Sequence, residues 1–255
     1  MDIRAKTAIV TGSAAGIGRA SAVALARAGA AGIALVDIDM PGLEETARQV
    51  REMGAIATVH RLDLADLSAT ESWFRAHGDV DILHNNAGVV SGGPQFPDAD
   101  VARLRWIIDV NLGSLVIATQ IAAQAMHARG GGVIVNTVST VALGTGFHDA
   151  MYATTKAGVM MFTRCCAGLH ARWNVRVLGV LPGLTDTPIL NKTGADGPSD
   201  WMLNVLANNE ACRPEDIAEG VIALIEDEDR KGGDWIAVRK IDGRIEHQWG
   251  TAETV

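Results

Sequence analysis

Thr7-Ala8-Ile9-Val10-Thr11-Gly12-Ser13-Ala14-Ala15-Gly16-Ile17-Gly18 passes from a short apolar, β-rich run into a glycine turn and then into a helical periodicity. Ile17, Ala20, Ala24 and Ala28 mark one helix face, and Gly29 closes it. Working outward, Ile33-Ala34-Leu35-Val36 is a second strand, and Leu43, Ala47 and Val50 mark a second helix that stops near Gly54. Strand, glycine turn, helix and strand place Gly12, Ala15, Gly16, Ile17 and Gly18 where the missing Cβ atoms of the glycines let backbone amides approach a pyrophosphate at a helix N-terminus. Asp37 ends the second strand 19 residues beyond Gly18, in position to accept hydrogen bonds from ribose hydroxyls. A 2′-phosphate about 4 Å from that carboxylate meets a repulsion of about 4 kcal/mol at an effective dielectric near 20. NAD is therefore expected rather than NADP. Neither Ala15 nor Ile38 supplies a compensating cation, and Arg19, the nearby one, is expected on the helix surface.

Further strands are expected at Ile56 to His60, Asp81 to His84, Val133 to Val138, Val175 to Leu181 and Trp235 to Val238, with crossover helices between them. No Pro/Ser-rich linker interrupts the alternation, so residues 1–255 read as one α/β domain with seven parallel strands. Pro214 opens a helix that carries Ile217, Val221, Leu224 and Ile225 on one face. From Leu184 to Asn209 the alternation fails, and an apolar mobile lid is expected.

The chain has 255 residues, 48% hydrophobic, which is a globular composition, and a formal charge of -8 without a basic run, which excludes a nucleic-acid face. Three cysteines, Cys165, Cys166 and Cys212, form neither a disulfide framework nor a metal pattern and read as reduced, buried thiols of the cytoplasm. The histidines have no metal-ligand spacing, and His84 and His148 read as packing or pocket-lining residues; Gly-x-Ser-x-Gly is absent too. The uncharged stretches Val110 to Ala128 and Gly130 to His148 approach membrane-span length but carry Asn, Gln, Ser, Thr and glycines, so both read as protein interior.

Tyr152 and Lys156 stand four residues apart and share a helix face, so their polar ends can meet around one substrate or ribose. Together with the glycine turn, this pair, Asn111, Ser139, Asp63-Leu64 and Asn85-Asn86-Ala87-Gly88 make the chain resemble the short-chain dehydrogenase/reductase family over nearly its whole length. The resemblance implies a Rossmann-type doubly wound sheet and hydride transfer between NAD and a secondary alcohol or ketone. It implies that Tyr152 is the general acid/base, that Lys156 holds the ribose hydroxyls and favours phenolate, that Ser139 bonds the reacting oxygen, and that Asn111 anchors a water in a proton relay. Asp63 and Leu64 would contact adenine, Asn86, Ala87 and Gly88 would approach the cofactor, and Pro182, Gly183, Thr185 and Thr187 would turn against the nicotinamide carboxamide.

The closing segment, Leu224-Ile225-Glu226-Asp227 and then Gly232 to Gly243, departs from the family's usual Gly-rich end and is similar to the NAD-linked 15-hydroxyprostaglandin dehydrogenase branch. A mainly apolar alcohol or ketone is then expected against Val141, Leu143, Phe147, Leu190, Trp201 and Leu206. Asp149, three residues before Tyr152, adds a charge such a pocket does not need. Helices from Asn111 to Ala128 and from Tyr152 to Ala171 are expected to form the face of a homodimer or homotetramer, as in the family. The competing readings are an NADP-dependent ketone reductase, a nucleotide-binding sensor or scaffold without turnover, and a nucleotide-sugar epimerase, for which about seventy residues after Pro182 are too few.

Overall fold

The computed structural model describes residues 1–144 and 147–254. Strand β1 (Thr7–Thr11) leads through the glycine turn into α1 (Gly16–Arg27), then β2 (Gly32–Asp37), α2 (Met40–Glu52), β3 (Ile56–Arg61), α3 (Leu67–His77) and β4 (Ile82–Asn85). There follow α4 (Val101–Ile108), α5 (Ser114–Ala128), β5 (Gly132–Thr137), α6 (Ala150–Cys165), α7 (Gly168–Trp173) and β6 (Val175–Pro182). The chain closes with α8 (Asp200–Asn208), α9 (Pro214–Glu226), β7 (Trp235–Ile241) and β8 (Arg244–Gly250).

All eight strands form one sheet in the order β3-β2-β1-β4-β5-β6-β7-β8. β1 pairs in parallel with β2 on one side and β4 on the other, Ile9 standing opposite both Ala34 and Leu83. The connections therefore wind outward in opposite directions from β1, and the crevice at the carboxyl ends of β1 and β4 is where such sheets take a ligand. Because side chains alternate along a strand, Ile9 enters the core under α3 and α5 with Phe74, Leu83, Ala122 and Met126. Val10 enters the opposite core under α1, α2 and α9 with Leu25, Leu35, Leu43 and Val221.

The seven expected strands are present and mutually parallel. The eighth, β8, was not expected. It returns antiparallel along β7, turning through Asp242 (φ 49°) and Gly243 (φ 75°), the two positive-φ residues that a tight hairpin requires.

Two helices also differ from expectation. Asn111 does not begin a helix: α4 and α5 form one helical run, Val101–Ala128, joined by a π-turn at Asp109–Gly113 that contains it. That run is long and apolar enough to cross a membrane, yet half of its apolar window is buried in the fold. The expected helix from Tyr152 to Ala171 is two, α6 and α7, broken where the Gly232-Gly233 turn packs against Ala167. The segment read as a lid carries a 3-10 turn at Pro188–Lys192 and then α8, whose N-cap Ser199 accepts from Met202 N–H. Of the cysteines expected to be buried, Cys212 is, Cys166 is half-buried and Cys165 is exposed.

Candidate active site

The glycine turn is built around contacts that no side chain could share. Gly12 and Gly16 have positive φ, and a Cβ on Gly18 would lie 2.1 Å from the Gly12 carbonyl oxygen. Asn86 braces the turn from β4, donating from Nδ2 to the carbonyls of Thr11 (3.1 Å) and Gly12 (3.3 Å). The Thr11 hydroxyl accepts from the amides of Asn86 and Ala87 in return. At the start of α1, Ala15 offers no capping side chain and the first turn has no carboxylate, so the free amides remain available to an anion. The segment after β6 closes the cleft: Pro182 ends the strand, Gly183 N–H donates to Val238 O, the Thr185 hydroxyl returns to Gly183 O, and Thr187 packs on Gly16.

Asp37 stands at the mouth of the cleft, accepting from Ala14 N–H with Oδ2 and from Ile38 and Asp39 N–H with Oδ1. Arg19 is not a surface residue. It is half-buried, donates from Nε to Thr46 Oγ1, and directs its guanidinium to the carbonyls of Ala14 and Gly42. Its charge is held by backbone dipoles beside the turn. Ile38 is exposed, Asp63 accepts from Ala65 N–H, and buried Leu64 lies with Thr11, Ala87 and Leu115 behind the turn. This close-packed cradle of bare backbone, flanked by a ribose-height carboxylate, fits a dinucleotide.

Tyr152 and Lys156 project from successive turns of α6, the Lys156 ammonium 5.7 Å from the centre of the Tyr152 ring. Lys156 is buried and donates to the carbonyl of Thr137 at 2.8 Å. Burial brings its pKa down to about 8, so it keeps its proton at neutral pH. Burial pushes the Tyr152 phenol up to about 12, opposed by a hydrogen bond with Ser139 and reinforced by the charge of Asp149. Ser139 follows β5 and caps the 3-10 turn Thr140–Leu143 through Val141 N–H. Behind Lys156, His84 is fully buried, bonds Thr137 Oγ1 through Nε2, and is held neutral, its pKa brought down to about 3 by burial and by the ammonium.

The Asn111 amide is spent on protein partners. It accepts from Val89 N–H (2.8 Å) and donates to Val89 O and Thr155 Oγ1. The π-turn thus ties α6 to the segment after β4, near Gly88, where a Cβ would stand 3.3 Å from Lys156 Nζ. Of the residues expected against substrate, Phe147 is 5.9 Å from the Tyr152 ring and meets Trp201 of α8 edge-on at 5.4 Å, while His148 stacks on Trp201. Val141, Leu143 and Leu190 are half-buried, and Leu206 lies on the exposed side of α8.

Two features were not among the sequence candidates. Ser91 clamps Asp149, giving its N–H to Oδ2 and its hydroxyl to Oδ1. Beyond it, an open cavity of about 600 Å³ lies between the loop after β4 and the segment after β6, walled by Pro94, Asp98, Arg103, Trp106 and Lys192. Both features join residues far apart in the chain, and no local spacing announces them.

The short chain dehydrogenase profile matches residues 6–197. A cis-4-hydroxycyclohexanecarboxylate dehydrogenase of Sinomonas cyclohexanicum is 33% identical over 229 residues, 87% of this chain and 90% of that one. A 7α-hydroxysteroid dehydrogenase complexed with NADH and 7-oxo glycochenodeoxycholic acid superposes with a TM-score of 0.77 at 29% identity, over 88% of this chain and 89% of that one. A protein assigned as an NAD(P)-dependent gluconate 5-dehydrogenase from Beutenbergia cavernae, with NADP bound, gives 0.78 at 28% identity over 89% and 92%. With the glycine cradle, the Ser139, Tyr152 and Lys156 cluster and the sheet order all in place, the chain belongs to the short-chain dehydrogenase family of nicotinamide-dependent oxidoreductases.

Proposed function

We propose that this protein is an NAD-dependent dehydrogenase of secondary alcohols, equally a reductase of the matching ketones, with Tyr152 as general acid/base. The observation that carries the reading is the convergence of Tyr152, Lys156 and Ser139 beside a cradle of bare glycine backbone. In the oxidising direction, Tyr152 Oη accepts the hydroxyl proton while Ser139 bonds the same oxygen and fixes its distance. Lys156 stabilises the phenolate and gives its remaining N–H groups to ribose hydroxyls, its position fixed by Thr137 O. Asn111 holds the loop and helix that frame the pair, its amide committed to Val89 and Thr155. The bound nicotinamide supplies the hydride acceptor and a positive charge that favours phenolate.

NAD is favoured because Asp37 puts a carboxylate at the ribose edge and Arg19, committed to Ala14 and Gly42, does not reach out to a 2′-phosphate. Because relatives of this fold carry either cofactor, NADP is the alternative the test must address. The aromatic wall of Phe147 and Trp201 beside Tyr152 supports a mainly apolar substrate. The relatives' names point further to a ring alcohol, a hydroxylated cyclohexane or steroid. The exposed apolar residues Ile108 and Met161 support association of copies through the α4, α5 and α6 face, and the reduced cysteines suit the cytoplasm.

Cyclic and open-chain secondary alcohols, assayed with both cofactors by nicotinamide absorbance, test the assignment. Turnover should appear with NAD and a ring alcohol. Tyr152→Phe should abolish it by at least about 10²-fold while NAD affinity is nearly retained. Near-wild-type turnover in that variant would remove Tyr152 from the reaction.

A further inference from the structure

Asp149 is 1% exposed, yet among the described residues its three side-chain bonds all come from neutral donors: Ser91 N–H at 2.7 Å, the Ser91 hydroxyl at 2.5 Å and Tyr152 N–H at 3.0 Å. Each uses a carboxylate oxygen as acceptor, as the ionised side chain requires. The bond to Tyr152 N–H makes Asp149 the N-cap of α6, one turn from the phenol. The bonds to Ser91 hold the loop that walls the adjoining cavity.

The charged and titratable groups around it are few. Lys156 lies about two turns along α6 and directs its ammonium to Thr137 O, and His84 behind it is neutral. From α4, Arg103 reaches toward the clamp but donates to the Ser91 carbonyl and lies over the Trp106 ring. His148, next in the chain, stacks on Trp201. Among the described residues none of these forms an ion pair with the carboxylate.

We infer that Asp149 is a positioning residue for proton transfer, which seats the Tyr152 helix against the Ser91 loop and holds Tyr152 in its protonated, proton-donating form until cofactor binds. A helix cap alone could be neutral, since serine or asparagine caps as well. Burial is the first reason the phenol is raised, and a carboxylate held at the cap of its helix adds to that by disfavouring phenolate. The consequence, which rests on Tyr152 as the proton carrier, is a site set toward ketone reduction near neutral pH, with alcohol oxidation rising in alkali.

The test needs neither substrate nor cofactor. Tyr152 is the chain's single tyrosine, so tyrosinate absorbance reports it alone. Stopped-flow pH jumps read that absorbance before alkaline unfolding. Asp149→Asn keeps size and an acceptor, and Asp149→Ser keeps an N-cap; each should lower the midpoint by about one pH unit, about tenfold more phenolate at a given pH. Loss of fold in one is covered by the other. Asp149→Glu, which keeps the charge and displaces the cap, should titrate near the wild-type midpoint. Coincident midpoints in the wild-type, Asn and Ser proteins would overturn the inference and leave Asp149 a cap. The acid limb of kcat/KM for alcohol oxidation should move with the midpoint. A shifted midpoint in a protein that turns over no alcohol would instead count against the proposed function alone.

Discussion

The two halves of the cleft are made of different material. On the cofactor side, from β1 to β4, the turn offers backbone amides and carbonyls and its demands are steric, with Asp37 as the added carboxylate: backbone already occupies the Cβ space of Gly12 and Gly18, and positive φ beside the Thr187 methyl favours glycine at Gly16. On the side of the Tyr152 ring, Phe147, Trp201, Asp149, Ser91 and Arg103 come from four separate segments and are fixed by contacts of their side chains. A backbone site tolerates no substitution but leaves a short, spaced signature. A side-chain site can be rebuilt one residue at a time and leaves none.

That contrast can be broken most forcefully at Gly18. Gly18→Ala would press a methyl into the Gly12 carbonyl at 2.1 Å, so several kcal/mol of stability and all measurable NAD binding should be lost. A thermal melt with and without NAD checks this, and a variant that binds NAD normally would show the turn to be looser than drawn. Asp37→Ala is next: it should weaken NAD and raise the NADP-to-NAD ratio of kcat/KM by at least about tenfold, part of the ~4 kcal/mol repulsion from a 2′-phosphate. An unchanged ratio would take Asp37 out of cofactor choice and leave it a fastener of Ala14, Ile38 and Asp39.

On the other side, Trp201→Ala should raise KM for extended apolar alcohols roughly tenfold, and much less for small polar ones, with NAD affinity intact. Equal losses across both groups would make Trp201 a support for Phe147 and His148. The smallest effect is on stability. Because burial depresses Lys156 to about 8, the folded protein carries a cost for the charged ammonium that is fully present below pH 8 and fades as pH rises toward 10.5, where the unfolded lysine is neutral too. Lys156→Met should therefore melt a few degrees higher than wild type at pH 7 without cofactor, with the gap narrowing above pH 8. A gap that widens with pH would reverse the assignment of cause.

How far the chain could be read before its fold was known follows the same division. The βαβ unit, Asp37 at the end of β2, and Tyr152 with Lys156 on α6 are local spacings on single elements, and Ser139 comes to Tyr152 from the end of β5. The Asp149 clamp joins residues 58 apart, and Arg19 turns inward because Thr46 and Gly42 of α2 lie beside it, which no window of sequence displays. The π-turn at Asn111 is a one-residue excess in an otherwise regular helix, invisible to periodicity. β8 had a signal, Asp242-Gly243, the dipeptide of tight hairpins. It went unread because the following Arg-Ile-Glu-His-Gln is exposed along its length and lacks the alternation of a half-buried strand.

That hairpin decides where the sheet stops growing. With β8 laid along it, β7 has no free rim of amides and carbonyls to offer a second copy. The rim passes to β8, whose Arg244 and Glu246 ring it with charge and hinder docking of another strand there. The last strand thus serves as an end-stop at this edge of the sheet, the opposite edge being β3.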